Sequence, residues 1–399
     1  MTTLSAKPVK TVYVLGAGFS RHAKLPLQNE ILDQLKGRPI AEPILRQIMK
    51  DFRSQGVSPT LGDLFTLLDQ AVSQRQFAVG FPWQDLAKAR RALMDEVLAI
   101  IHDAAQRVKR DALGFYRSLA AELMARRVAG GWESDPFSIV SLNWDCLLED
   151  SAYWCIRKAS ALGRVDVDYC CYTTPLSAAC PHTPSILQRA KGIFNLRVIK
   201  LHGSANWLLC PSCGKLFTGL GAEDVDWDQY VWPQFCPFCQ PLGSGQQEPS
   251  GGPQLEPAFV TPTFLKVFED PHIRMIWHNA YMELVEATRV VFVGYSLPEA
   301  DYHLRALLRR AVRPSAQVVA VLVKTDSPDA NTPIHLRSLL ASDRYRTFFG
   351  ASRVTIDLRG ARRFFKAELN LRPWPEHVRR LRSALRASSD LAGNPKPRL

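Results

Sequence analysis

The chain has 399 residues, enough for one large domain or two ordinary ones with ample apolar material for a core. Hydrophobic residues make up 46% and charged residues 22%, proportions that exclude a disordered chain. The formal charge of +12 is uneven, because positions 359–399 hold eleven Lys/Arg against three Asp/Glu. Such an end can meet nucleic acid or an acidic partner, and a solvated helix face with a frayed tail is the plainer reading.

Thr11-Val-Tyr-Val-Leu15 reads as a buried parallel strand that ends in glycine. Pro26 precedes a helical pattern through Leu35. From Pro43 to Gly130 apolar residues recur at spacings of three and four, as in Leu61, Leu64, Phe65 and Leu68 and again in Leu93, Val97, Ile100 and Ile101. This predicts a helical insertion of several helices, broken at Pro82. Phe137–Leu142 is the next expected strand, followed by a helix over 145–161. Arg197–Leu201 is a strand running directly into His202-Gly203. The stretch Trp207–Gly252, rich in Cys, Gly, Pro and Trp, predicts an irregular excursion held by metal. Alternation then resumes with a strand at Arg289–Val293, a helix at Ala300–Val312, a strand at Gln317–Val323, a helix at Pro333–Phe349, a strand at Arg353–Leu358 and a helix at Pro375–Ala387.

Strands separated by helices predict an α/β fold with a Rossmann-like, doubly wound parallel sheet. The expected division is a sheet domain over 1–42, 131–206 and 253–358, a helical insertion over 43–130, a small four-cysteine zinc module over 207–252, and a basic C-terminal helix and tail over 359–399.

Four groups of residues carry chemistry. Gly16-Ala17-Gly18-Phe19-Ser20 forms a turn after the first strand, where glycines let backbone approach a pyrophosphate and the next helix start holds its charge. The full dinucleotide fingerprint is absent, since residue 21 is Arg, and a plain tight turn reads equally well. Asn143 and Asp145 lie just past a strand end, where ligands bind in open α/β sheets. Asn143 can orient a ribose hydroxyl or a water; Asp145 can accept hydrogen bonds or cap the following helix. His202 follows a strand directly, and its ordinary pKa suits a general base near neutrality, with a structural histidine as the alternative. Cys210/Cys213 and Cys236/Cys239, with 22 residues between the pairs, have the spacing of a four-thiolate zinc site. Four protein ligands leave no open position, so such a zinc is structural rather than catalytic. Cys146, Cys155, Cys170, Cys171 and Cys180 read as buried thiols.

No apolar run approaches the roughly 18 residues of a membrane span, and Met1–Lys10 lacks the apolar stretch of a secretory signal. With its metal-spaced cysteines, the chain is expected in the cytoplasm, away from membranes.

Taken in order, these parts resemble the sirtuin (silent information regulator) superfamily, in which a G-A-G-x-S turn, an N-x-D signature, H-G, two C-x-x-C pairs and a G-x-S turn follow one another. Here they are Gly16–Ser20, Asn143/Asp145, His202/Gly203, the four cysteines and Gly294-Tyr295-Ser296. The match spans about residues 10–325. The phrases Lys200-Leu-His-Gly-Ser-Ala-Asn-Trp207 and Val293-Gly-Tyr-Ser-Leu-Pro-Glu-Ala-Asp301 are similar to a bacterial sirtuin-like branch that includes NAD-cleaving anti-phage defence effectors.

The resemblance implies NAD as substrate and a structural zinc on Cys210, Cys213, Cys236 and Cys239. Ala17, Gly18 and Ser20, with Gly16 and Phe19 of the same turn, would lie on the pyrophosphate side, and Asn143 and Asp145 near the nicotinamide ribose. His202 would be the general base, and Gly294 and Ser296 would face the adenosine end. Family deacylases carry G-I-P-D-F-R after the first turn; this chain has Lys24-Leu-Pro-Leu-Gln-Asn29. T-Q-N-I-D becomes Ser141-Leu-Asn-Trp-Asp145, the peptide-pairing segment is not recognisable in Pro257–Phe268, and Lys324 stands where an asparagine is expected. These departures weaken acyl-lysine recognition and leave the NAD-handling set in place. The leading expectation is an NAD glycohydrolase giving nicotinamide and ADP-ribose or a cyclic form, in anti-phage defence. An NAD-dependent protein deacylase and a non-catalytic NAD or ADP-ribose adaptor are the alternatives. Expected partners are a second copy of the chain or an activating protein; nucleic acid through the basic C-terminus is not favoured.

Overall fold

The computed structural model describes residues 9–54, 56, 59–131, 134–175, 192–219, 235–239, 252–261, 270–326 and 340–390. Cys180, the start of the expected helix Pro333–Phe349, the middle of the zinc module and most of the second half of Pro257–Phe268 lie outside the described residues.

Short runs rich in β-branched residues, largely buried except in the edge strand Val354–Asp357, form the main sheet. Its strands are β1 (Thr11–Leu15), β2 (Phe137–Ser141), β3 (Val165–Asp168), β5 (Phe194–Lys200), β9 (Arg289–Val293), β10 (Gln317–Val321) and β11 (Val354–Asp357). β4 (Thr174–Pro175), β6 (Gly203–Leu209), β7 (Leu216–Thr218) and β8 (Glu256–Phe259) make a second, four-stranded sheet. The seven strands are all parallel, in the order β11-β10-β9-β1-β2-β5-β3. From β1 the chain passes to β2 and the edge strand β3, places β5 between them, then crosses to the other side of β1 to build β9, β10 and β11. The β1/β9 boundary is therefore the topological switch point, the crevice where open α/β sheets bind ligands. Leu15 pairs with Ser141 and Val293, and Ser141 with Lys200, so the strand ends stand level and their turns emerge side by side.

The helical layer beside this sheet differs from the expected boundaries. Arg110–Ala129 belongs to the core of the main sheet, where it packs on the helices Leu147–Ala159 and Trp374–Asp390. A separate core joins Gln28–Gly37 to the helices Pro43–Ser54, Leu61–Ser73 and Trp83–Gln106. The reason is amphipathic spacing: Ile31, Leu32 and Leu35 face Leu64, Phe65, Leu93 and Val97 rather than the sheet. Thr60 starts the third of these helices with a capping box, its hydroxyl accepting the Asp63 N–H at 3.1 Å while Asp63 accepts the Thr60 N–H at 2.7 Å. The Cys-rich stretch, expected to be irregular, carries the end of β6 and all of β7, two largely buried strands that pair antiparallel across the first cysteine pair.

The basic C-terminal helix packs Val378, Leu381 and Leu385 into the core and is tied there by a buried carboxylate. Glu122, fully buried, accepts from His377 Nδ1 at 3.0 Å and from Arg380 at 2.8 Å, and it pairs with Arg126 at 2.7 Å. His377 Nε2 in turn accepts the Arg372 N–H at 2.7 Å, which leaves the proton on Nδ1 for Glu122. Burial opposes the charge, but the His377 hydrogen bond and the two guanidinium groups outweigh it and hold the Glu122 carboxyl below its ordinary value. A depressed folded pKa gives stability that is complete above the unfolded value and is lost as pH falls through the folded one. Glu122→Gln should lower unfolding free energy at pH 7 by about 2 kcal/mol and flatten the acid limb, measured by denaturant titration from pH 7 to 3.

Candidate active site

Four turns converge at the level strand ends. The turn after β1 and the turn after β9 touch backbone to backbone: the Gly16 N–H donates to Val293 O at 3.0 Å and the Gly18 N–H to Gly294 O at 2.8 Å. A Cβ on Gly16 would lie 2.7 Å from Gly294 O, and one on Gly294 only 2.2 Å from Phe19 N. These glycines are thus required by the contact between the two turns. The Phe19 and Ser20 N–H groups close on Gly16 O and Ala17 O, at 2.8 and 3.1 Å. Most of the turn's amides are therefore engaged within the fold. Ala17 and Ser296 are exposed at the crevice. Phe19 is 2% exposed, and its ring packs edge-on against Tyr116 and Phe365. Its side chain belongs to the core, so the turn can meet a ligand at this position through its backbone alone.

Between these turns and β2 lies a polar cluster. Asn143, buried, donates from Nδ2 to Gly16 O at 3.0 Å and to Ser20 Oγ at 3.3 Å. Ser20 Oγ, itself 1% exposed, donates to Asp145 Oδ2 at 2.8 Å. Asp145 Oδ1 accepts the Leu147 N–H at 3.2 Å, so this carboxylate both fastens the helix start and faces Ser20. A carbonyl can only accept, which fixes the Asn143 amide with Nδ2 toward Gly16 and Oδ1 on the far side. That Oδ1 is buried and has no partner among the described residues. An unmet buried acceptor costs about 1–3 kcal/mol, so a hydroxyl or water donor is strongly favoured there.

The turn after β5 is stitched to the same loop. The Leu201 N–H donates to Ser141 O at 3.0 Å, Trp144 Nε1 to His202 O at 3.1 Å, and the Ala205 N–H to Trp144 O at 2.8 Å. His202 Nδ1 lies 3.2 Å from Leu142 O and must carry the proton, which leaves the acceptor lone pair on Nε2. A half-buried imidazole held in this tautomer can take up a proton at Nε2. The Trp144 ring packs on Phe259, 5.0 Å between centroids.

Several neighbours have no legible signal in sequence. His22, two residues past Ser20, stacks on Tyr116 at 4.9 Å, and burial pushes its pKa down. Tyr116, fully buried, is pushed well up by burial. Lys200 and Glu149 form an ion pair of 2.8 Å beneath Asp145, 0% and 3% exposed.

The four cysteines come together away from this cluster. Cys210 Sγ and Cys239 Sγ are 3.8 Å apart, Cys213 Sγ and Cys236 Sγ 3.7 Å, and all four sulfurs lie within 4.8 Å of one another. A tetrahedron with Zn–S bonds of about 2.3 Å has edges of about 3.8 Å. The donor set therefore fits zinc, which would tie β6 and β7 to the chain at Phe235–Cys239. Cys213→Ser should bring metal content, read by atomic emission, to near zero and lower the melting temperature, because site and fold are coupled. A second acidic group, Asp135, Glu283 and Glu286, is already filled: Lys10 Nζ sits 2.7–2.8 Å from all three at the opposite end of the sheet. No helix among the described residues is long and apolar enough to cross a membrane.

No protein-family model matches the chain, and no curated protein does. Among solved structures, a triple mutant of a Sir2 homologue in complex with 2'-O-acetyl ADP ribose is 15% identical, with 94% of this chain and 93% of that one covered and a TM-score of 0.41. A Sir2 homologue–NAD complex is 16% identical over 94% of this chain and 90% of that one, with a TM-score of 0.37. At these scores the likeness is too loose to place individual residues.

Proposed function

We propose that this chain is a sirtuin-like enzyme that cleaves NAD to nicotinamide and ADP-ribose or its cyclic form. The observation that supports it most is the pairing of a buried, unpartnered Asn143 Oδ1 with a His202 tautomer whose acceptor is Nε2, on adjoining turns at the carboxyl ends of β2 and β5. Breaking a nicotinamide–ribose bond passes through an oxocarbenium-like state, which calls for positioning and electrostatics more than for a strong nucleophile. Asn143 Oδ1 accepts from and aims the attacking water or ribose hydroxyl, and His202 Nε2 takes up its proton. Asp145 and Ser20 hold the amide of Asn143 in register, and Ala17, Gly18, Gly294 and Ser296 form the rim toward the pyrophosphate and adenosine.

An NAD hydrolase left on would drain its cell. Control by a protein partner or a second copy is therefore part of this reading, and a role in anti-phage defence is what the resemblance to the sirtuin-like branch suggests. The test is mass spectrometry of NAD incubated with the protein, with and without an acetylated lysine peptide. Nicotinamide and ADP-ribose without peptide support the hydrolase. Turnover only with peptide replaces it by the deacylase, and binding without cleavage by the adaptor.

A further inference from the structure

The phrase Lys200–Trp207 begins with a lysine that the reaction above does not use. Lys200 ends β5, two residues before His202, and its side chain is fully buried. Nζ donates to the backbone carbonyl of Asp145 at 2.6 Å and pairs with Glu149 at 2.8 Å, in the first turn of the helix Leu147–Ala159. One side chain thus spans from the strand that delivers His202 to the loop that carries Asn143 and Asp145. A buried ion pair seldom stabilises a fold more than an apolar pair of the same volume would. Stability alone therefore gives a weak reason for a charge here, whereas position gives a strong one. The ammonium is the donor that fixes the Asp145 carbonyl, and the Asp145 side chain in turn receives Ser20 Oγ.

We propose that Lys200, held by Glu149, is a positioning residue that sets the Asn143–Asp145 loop against His202. This rests on the NAD-cleaving reading for its kinetic consequence but not for its structural one. Burial opposes the charge on Lys200, and the Glu149 carboxylate outweighs it and favours the ammonium. Without that charge the carbonyl of Asp145 loses its donor, and the loop can drift from the imidazole by the fraction of an ångström that catalysis does not tolerate.

The experiment compares wild type, Lys200→Met and the double variant Lys200→Met/Glu149→Gln. The single change leaves a lone buried carboxylate and is expected to lower the melting temperature. The double change removes that charge and should recover most of the loss. Amide hydrogen exchange over 143–147 should be faster than wild type in both, a readout that needs no NAD. The kcat for NAD cleavage should fall about 100-fold in the double variant with KM nearly unchanged. A double variant with wild-type exchange over 143–147 overturns the positioning role, whatever its activity. A wild type that leaves NAD intact while exchange responds as expected removes the NAD reading and keeps the pin.

Discussion

His202→Ala is expected to lower NAD cleavage by about 10²–10⁴-fold while the protein stays folded. From a half-buried position the side chain donates Nδ1 to Leu142 O, and loss of that bond costs on the order of 1 kcal/mol of stability. Asn143→Ala should be as inactive but measurably less stable, because Gly16 O and Ser20 Oγ both lose the donor that reaches them from Nδ2. The two variants thus separate chemistry from scaffold. Single-turnover kinetics, with melting curves on the same samples, provide the check. Wild-type turnover in both, at normal stability, would remove these residues from the reaction. A loss of activity that tracked the loss of stability across both would make His202 a structural histidine.

The turns were legible because strand ends are. Thr11–Leu15 and Arg289–Val293 are short β-branched runs followed by glycine, and both are strands in the structure. What remained hidden was long-range. Lys200 reads as an ordinary polar residue at a strand end, and only folding brings it to Glu149, whose sequence neighbours suggest nothing but a helix start. Phe19 looked like a crevice residue because it sits between two ligand-side positions, yet the tight 3-10 turn rotates its ring into the cluster of Phe115, Tyr116 and Phe365. The helix Pro271–Glu286 did have a signal: Asp270 accepts the His272 and Ile273 N–H groups, with Pro at the first helical position. The glycines were found for an incomplete reason, since a phosphate approach and a turn-to-turn contact select the same residue.

That second reason gives the largest expected effect on stability. Gly294 has φ of +65°, where any other L-residue is strained, and a Cβ there would stand 2.2 Å from Phe19 N and 2.3 Å from Gly18 C, both rigid backbone. Gly16 has φ of −105°, open to any residue, so its alanine variant meets only the steric term, 2.7 Å from Gly294 O. Gly163 has φ of +74° with nothing within 4 Å of its would-be Cβ, so its variant meets only the backbone term. Gly163→Ala should therefore cost about 1 kcal/mol. Gly16→Ala should cost about 1–3 kcal/mol, the usual penalty of forcing extra volume into a packed contact. Gly294→Ala carries both terms and should lose about 4 kcal/mol or fail to accumulate folded. Its folded remainder should also lose NAD turnover, because the β1 turn that must move holds Ser20 and the carbonyl that orients Asn143. Denaturant unfolding of the three proteins decides the matter. If Gly294→Ala loses no more than Gly163→Ala, the turns are not in hard contact, and a ligand's approach is what the glycines serve.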